Sequence, residues 1–108
     1  MPVRELSARE LARALEDPRP PVVLDVRNPD EVRVAAIAGS VHVPLHELPA
    51  RLDEVRELAE RPLVVVCHHG VRSYHAAAFL DSVGIAASSL RGGIDGWAAE
   101  VDPRMPRY

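Results

Sequence analysis

Branched apolar residues along this chain come in short unbroken runs, and stretches with helical spacing lie between them. Leu63-Val64-Val65-Val66 is such a run, and consecutive apolar residues suit a strand buried on both faces of a parallel sheet. Val22-Val23-Leu24-Asp25-Val26 is a second strand candidate. Val41-His42-Val43, set between Ala38-Gly39-Ser40 and Pro44, is a third, and Ala87 to Leu90 is a weaker fourth. Ser7-Ala8-Arg9-Glu10 reads as a capping box, followed by an apolar stripe of Leu11, Ala14 and Leu15. That predicts a helix over about Ser7 to Glu16, closed by Pro18, Pro20 and Pro21. Asn28 predicts the cap of a short helix with Pro29 at its first position and acidic residues in its first turn.

Leu48, Leu52, Val55 and Leu58 mark helical spacing over 45–60, broken in two near Pro49 to Asp53. From Ser73 onward Ala76, Phe79, Leu80 and Val83 do the same, with Gly84 as the stop. Gly92-Gly93 opens a last helix containing Trp97, predicted to pack in the core, and Val101 to Tyr108 reads as irregular. Strands alternating with helices at short spacing predict an α/β domain with a mostly parallel sheet. Ligands of such sheets gather beyond the carboxyl ends of the strands. Asp25-Val26-Arg27 and Cys67 are therefore expected on one rim.

The chain has 108 residues, 47% hydrophobic and 27% charged, read as one domain over 1–108 that needs no metal or disulfide staple. Its net charge of −3 argues against a nucleic-acid or anionic-membrane surface. One cysteine cannot make an internal disulfide. The start, Met1-Pro2-Val3-Arg4-Glu5-Leu6, is charged too early for a leader, and no apolar run approaches the roughly 18 residues of a membrane span. The expectation is a soluble cytoplasmic domain, a monomer or homodimer, with no nucleic-acid or membrane partner.

That one cysteine, Cys67, ends the Leu63–Val66 run and precedes a helix, where backbone N–H groups lack partners. It is a candidate nucleophile. A free thiol with a pKa near 8.5 is only about 3% thiolate at pH 7, and a drop of about two units requires about 2.7 kcal/mol. A helix N-terminus supplies roughly 0.3–1 kcal/mol, so N–H groups curled around the sulfur and the nearby Arg72 must add the rest. Gly70 permits the positive φ of such a curl. The plainer alternative is a small buried hydrophobe.

Cys67-His68-His69-Gly70-Val71-Arg72-Ser73 resembles the active-site loop of the rhodanese family of sulfurtransferases. Leu24-Asp25-Val26-Arg27 with Glu31 resembles the family's upstream motif, Ile37-Ala38-Gly39-Ser40-Val41-His42-Val43-Pro44-Leu45 its middle motif, and Leu90-Arg91-Gly92-Gly93-Ile94-Asp95-Gly96-Trp97 its closing motif. The resemblance implies a five-stranded parallel sheet with helices on both faces. It also implies transfer of sulfur through a Cys67 persulfide, from an anionic donor such as thiosulfate to a thiol, protein persulfide or cyanide acceptor, without a cofactor. A persulfide relay for cofactor or tRNA thiolation, and a non-catalytic protein-binding module, are the alternatives. Cysteine phosphatases of this fold carry five residues between Cys and Arg; here four separate Cys67 from Arg72, a tighter cradle suited to sulfur. Ala35-Ala36-Ile37 stands where many members have Gly-His-Ile, which is expected to loosen a structural contact on that side without the loss of a catalytic role.

Within the loop, His68, His69, Gly70, Val71, Arg72 and Ser73 are assigned to the substrate. Arg72 is expected to contact the donor or hold the loop, and Ser73 to cap the helix. His68 and His69 invite a metal reading, but neighbouring side chains on a tight loop are expected to diverge, so no metal site is assigned. Asp25 and Arg27 are expected to pair in support of the site, with Arg27 adding positive potential for the donor. His42, His46 and His75 are read as structural or surface residues.

Overall fold

The computed structural model describes residues 3–108; Met1 and Pro2, part of the segment judged against a leader, lie outside the described residues. Among these residues five strands form one sheet: β1 (Arg4–Leu6), β2 (Val22–Asp25), β3 (Val41–His42), β4 (Leu63–Val66) and β5 (Ser88–Leu90). Their spatial order is β1-β5-β4-β2-β3, and every neighbouring pair is parallel. Helices α1 (Ala8–Ala14), α2 (Pro29–Val34), α3 (Leu52–Leu58), α4 (Val71–Ser82) and α5 (Gly93–Glu100) connect or follow them. No helix among the described residues is long and apolar enough to cross a membrane.

Period-two alternation along the strands divides the interior into two cores. Val23, Val64, Val66 and Leu90 face α1 and α5, where they meet Ala8, Leu11, Ile94 and Trp97. Leu24, Val26, Leu63 and Val65 face the other way, against Val55 of α3 and Ala76, Ala77 and Leu80 of α4. Continuous apolar runs in β2 and β4 follow from this, because the central strands are covered on both sides. Cys67 continues the alternation of Leu63 and Val65 and belongs to the α3–α4 core.

Local signals place most element ends. Ser7 Oγ accepts the Glu10 N–H at 3.1 Å, and the Glu10 carboxylate accepts the Ser7 N–H at 2.9 Å. The Glu31 carboxylate likewise accepts the Asn28 N–H at 3.2 Å, with Pro29 opening α2. The stretch read as a broken helix is broken as expected, but its first piece, Leu45–Arg51, is 3₁₀ rather than α. Pro49 within it cannot donate to an α-helical carbonyl. α4 begins at Val71 instead of Ser73, because Gly70 adopts φ +103° and caps it. β1 has no counterpart in the sequence reading: its three residues carry two charges and lie at the sheet edge, so no apolar run marks it.

The site end of the sheet is set by a contact between two loops. Ile94 N–H donates to the Cys67 carbonyl at 2.8 Å and Asp95 N–H to the His68 carbonyl at 3.0 Å. Gly93, at φ +60°, lies under these carbonyls, and a Cβ there would stand 2.6 Å from the Cys67 oxygen and closer to that of His68. Gly93→Ala is expected to destabilise the chain by about 3 kcal/mol, through left-handed strain and overpacking together. Denaturant unfolding checks this; a loss under about 1 kcal/mol would mean the loops do not depend on their close approach.

Candidate active site

Because Cys67 ends β4 on the side of α4, its side chain meets the start of that helix, and it is 1% exposed. Its Sγ lies 3.1 Å from the N–H of Gly70 and 3.3 Å from that of Ser73, and both donate to the sulfur. The expected curl of N–H groups around the thiol is therefore present. The left-handed Gly70 turns the chain that follows it into the first turn of α4, which holds Ser73. The thiol donates to Ser73 Oγ at 3.4 Å, and that hydroxyl shares a 2.7 Å hydrogen bond with Ser89 of β5. Both serines are fully buried. Ser73 is thus not the helix cap: it lies in the first turn of α4 and faces the sulfur.

Arg72, on the same turn, donates to both carboxylate oxygens of Glu31, at 2.7 and 2.8 Å. This fork ties the loop's far end to α2. The Arg72 hydrogen bonds are the main cause that holds the Glu31 carboxyl down to about 2, against the opposing effect of burial and with help from the Asn28 N–H and the Tyr108 hydroxyl. Arg27 lies deeper and is fully buried. Its Nε and Nη2 donate to the Asp25 carboxylate, Nη2 also to the Ala35 carbonyl at 2.7 Å, and Nη1 to the Tyr108 hydroxyl at 2.8 Å and the Glu31 carbonyl at 3.4 Å. Burial opposes its charge, but these partners outweigh burial and raise its pKa above the ordinary range. The pairing with Asp25 is as expected. The added potential for a donor is not: every N–H of Arg27 faces an internal acceptor, and its charge is matched by Asp25. Contact with Ala35 runs through the main chain, so it does not depend on which side chains occupy 35–37.

His68 and His69 correct the expectation that adjacent side chains diverge. Their rings stack with centroids 3.8 Å apart, and Tyr108 stacks on His68, also at 3.8 Å and within 10° of parallel. The aromatic surface of Tyr108 holds His68 in place, and His69 completes a column of three rings. Burial, then the charge of His69, pushes the His68 pKa below its ordinary value, which favours the neutral ring at neutral pH. Its Nε2 has no hydrogen-bond partner among the described residues. Ligand atoms of His68, His69 and Asp95 lie within 4.8 Å of one another. Asp95 also pairs with Arg107 at 3.0 Å. Val71, 66% exposed, stands on the rim beside Gly70. His42 is structural, with its Nε2 2.7 Å from the Arg27 carbonyl.

Three residues of this arrangement escaped the sequence assignment of the site. Glu31 carried a signal, as part of the upstream motif. Ser89 carried none that separates it from any strand serine, and Tyr108 sits in a tail without pattern.

The family whose description is "Rhodanese-like domain" matches this sequence over residues 7–100. A protein named "Sulfurtransferase" from Allochromatium vinosum is 34% identical over 97 residues, 89% of each chain. "Adenylyltransferase and sulfurtransferase MOCS3" of Oryza sativa subsp. japonica is 34% identical over 115 residues, which span 95% of this chain and 26% of that protein. Among solved structures, a rhodanese-related protein from Thermoplasma volcanium superposes with a TM-score of 0.81 at 32% identity, covering 91% of this chain and 93% of its own.

The Glu31 pairing gives a pH prediction. A carboxyl whose folded pKa of about 2 lies below its ordinary 4.5 contributes stability above about pH 4.5, and loses it as pH falls toward 2. Glu31→Gln is therefore expected to cost about 2 kcal/mol at pH 7, with the two chains converging in stability at the acid end. Urea unfolding from pH 7 to pH 2.5 measures this, and a constant gap across the range would refute it.

Proposed function

Because the chain belongs to the rhodanese-like domain family, we propose that Cys67 carries sulfane sulfur as a persulfide. The donor in this reading is a small anion such as thiosulfate, or another persulfide, and the acceptor is a thiol or cyanide. Sulfur transfer in general agrees with the names of similar proteins; the carrier residue, donor and acceptor are our reading. The observation that carries it is the Sγ of Cys67 within 3.3 Å of two backbone N–H donors. Hydrogen bonds to a charged acceptor contribute about 1.5–3 kcal/mol each, more than the roughly 0.3–1 kcal/mol of a helix terminus.

In the thiolate, the Ser73 hydroxyl turns to donate to sulfur, and Ser89 donates to Ser73 in its place. The thiolate attacks the outer sulfur of the donor. An S–S bond to Cys67 forms as the donor's S–S bond breaks, and sulfite or a thiolate leaves with the electron pair. An acceptor thiolate or cyanide then attacks the outer sulfur of the persulfide, and Cys67 departs as the thiolate that began the cycle. The Gly70 and Ser73 N–H groups serve both steps, since each begins or ends on a sulfur anion at Sγ. A phosphate cradle would set a free arginine against the ligand, whereas Arg72 is forked onto Glu31. That supports sulfur over phosphorus.

Intact-mass measurement after incubation with thiosulfate, and separately with a glutathione persulfide, tests the reading. The chain is expected to gain the mass of one sulfur atom that cyanide or a thiol removes. Cys67→Ser is expected to gain none and to lose transfer activity by about a thousandfold or more. A wild-type chain that takes sulfur from neither donor, or a Cys67→Ser chain that still takes it, would overturn the proposal.

A further inference from the structure

Beyond α5 the chain turns back toward the site. Asp102 N–H donates to the Trp97 carbonyl at 3.0 Å and Met105 N–H to that of Asp102 at 3.0 Å. Met105 packs against the α1–α5 core, and Arg107 pairs with Asp95 at 3.0 Å. This path delivers Tyr108 to a position between the two ends of the 67–72 loop. Its ring lies on His68, the residue directly after the thiol, at 3.8 Å. Its hydroxyl donates to Glu31 Oε2 at 3.0 Å and accepts from Arg27 Nη1 at 2.8 Å. The same Glu31 oxygen accepts Arg72 Nη2 at 2.8 Å.

One residue from a tail without sequence pattern therefore grips the start of the loop through a ring and its end through a carboxylate. Its hydroxyl is also the side-chain link between the Asp25–Arg27 pair and the Glu31–Arg72 pair. Burial raises the Tyr108 pKa, so the phenol stays protonated and able to donate to Glu31 at neutral pH. We propose that Tyr108 is a positioning residue for Cys67: by holding His68 and Glu31 together it keeps the loop in the turn that aims the Gly70 and Ser73 N–H groups at sulfur. This builds on Cys67 as the sulfur carrier and adds a residue that touches neither sulfur nor donor.

Without the hydroxyl, Arg27 Nη1 keeps only the Glu31 carbonyl at 3.4 Å, and Glu31 keeps Arg72 but loses its tie to the interior. Without the ring, His68 is released from one face as well. Tyr108→Phe should therefore remove one grip and Tyr108→Ala both. Tyr108 is 40% exposed, so neither variant opens the core.

The experiment measures Cys67 alkylation by iodoacetamide against pH, sulfur loading from thiosulfate and from a glutathione persulfide, and thermal unfolding. The chains are wild type, Tyr108→Phe, Tyr108→Ala, Glu31→Gln and the Glu31→Gln/Tyr108→Phe pair. Sulfur loading is expected to fall about threefold in Tyr108→Phe and about tenfold in Tyr108→Ala. The alkylation midpoint should rise by about half a pH unit in Tyr108→Ala, because the thiolate loses aligned donors. The double variant should match Glu31→Gln alone, since the hydroxyl acts through that carboxylate. A wild-type midpoint in Tyr108→Ala would overturn the proposal even if its melting temperature fell, because packing alone would then account for it. Fully additive losses in the double variant would overturn the route through Glu31. If wild type accepts no sulfur, the carrier reading fails, while the alkylation midpoints still decide the role of Tyr108.

Discussion

Everything at this site follows from which way the peptides of one short loop face. The carbonyls of Cys67 and His68 are taken by the first N–H groups of α5. Further along the same loop the N–H groups of Gly70 and Ser73 face Sγ. The two loops come close enough only because the interface is backbone on backbone. A Cβ at Gly70 would stand 3.1 Å from the Gly92 nitrogen, and one at Gly93 would overlap two carbonyls. The closing motif thus serves the thiol from a distance in sequence of more than twenty residues, through main-chain geometry alone.

Around that frame the charges cancel. Asp25 faces Arg27 and Glu31 faces Arg72, each pair within hydrogen-bond distance. The Tyr108 hydroxyl bridges the pairs, so removing any one member leaves a partly or fully buried partner uncompensated. A site built this way gives sulfur a fixed cradle of neutral dipoles instead of a mobile cation. Such dipoles are already oriented and need no reorganisation to meet negative charge at Sγ. The lowered pKa of His68 fits the same picture, since a neutral ring beside the loop adds no net charge to it.

Much of the architecture was legible because buried parallel strands advertise themselves. The runs at Val22–Asp25 and Leu63–Val66 are apolar because both faces are covered, and the Ser7–Glu10 box and Asn28-Pro29 carry their own capping chemistry. β1 was illegible for the converse reason: an edge strand of three residues with two charges has no periodicity to read. In the site, Cys67 and Gly70 announced themselves by position. Ser73 was read as the cap, three positions too early in its helix, because Gly70, taken only as a flexible loop residue, is the cap that starts α4.

The sequence by itself determined the α/β pattern, the strand-to-helix loop that carries Cys67 and the Asp25–Arg27 pair, because each is written in local composition and spacing. Only the tertiary structure decided where the side chains of that loop point. Arg72 turns to Glu31 on α2, Ser73 to Ser89 on β5, and His68 to Tyr108 in the tail, and each partner lies at least sixteen residues away. Such pairings depend on which elements the sheet order brings side by side, and no local pattern encodes that order.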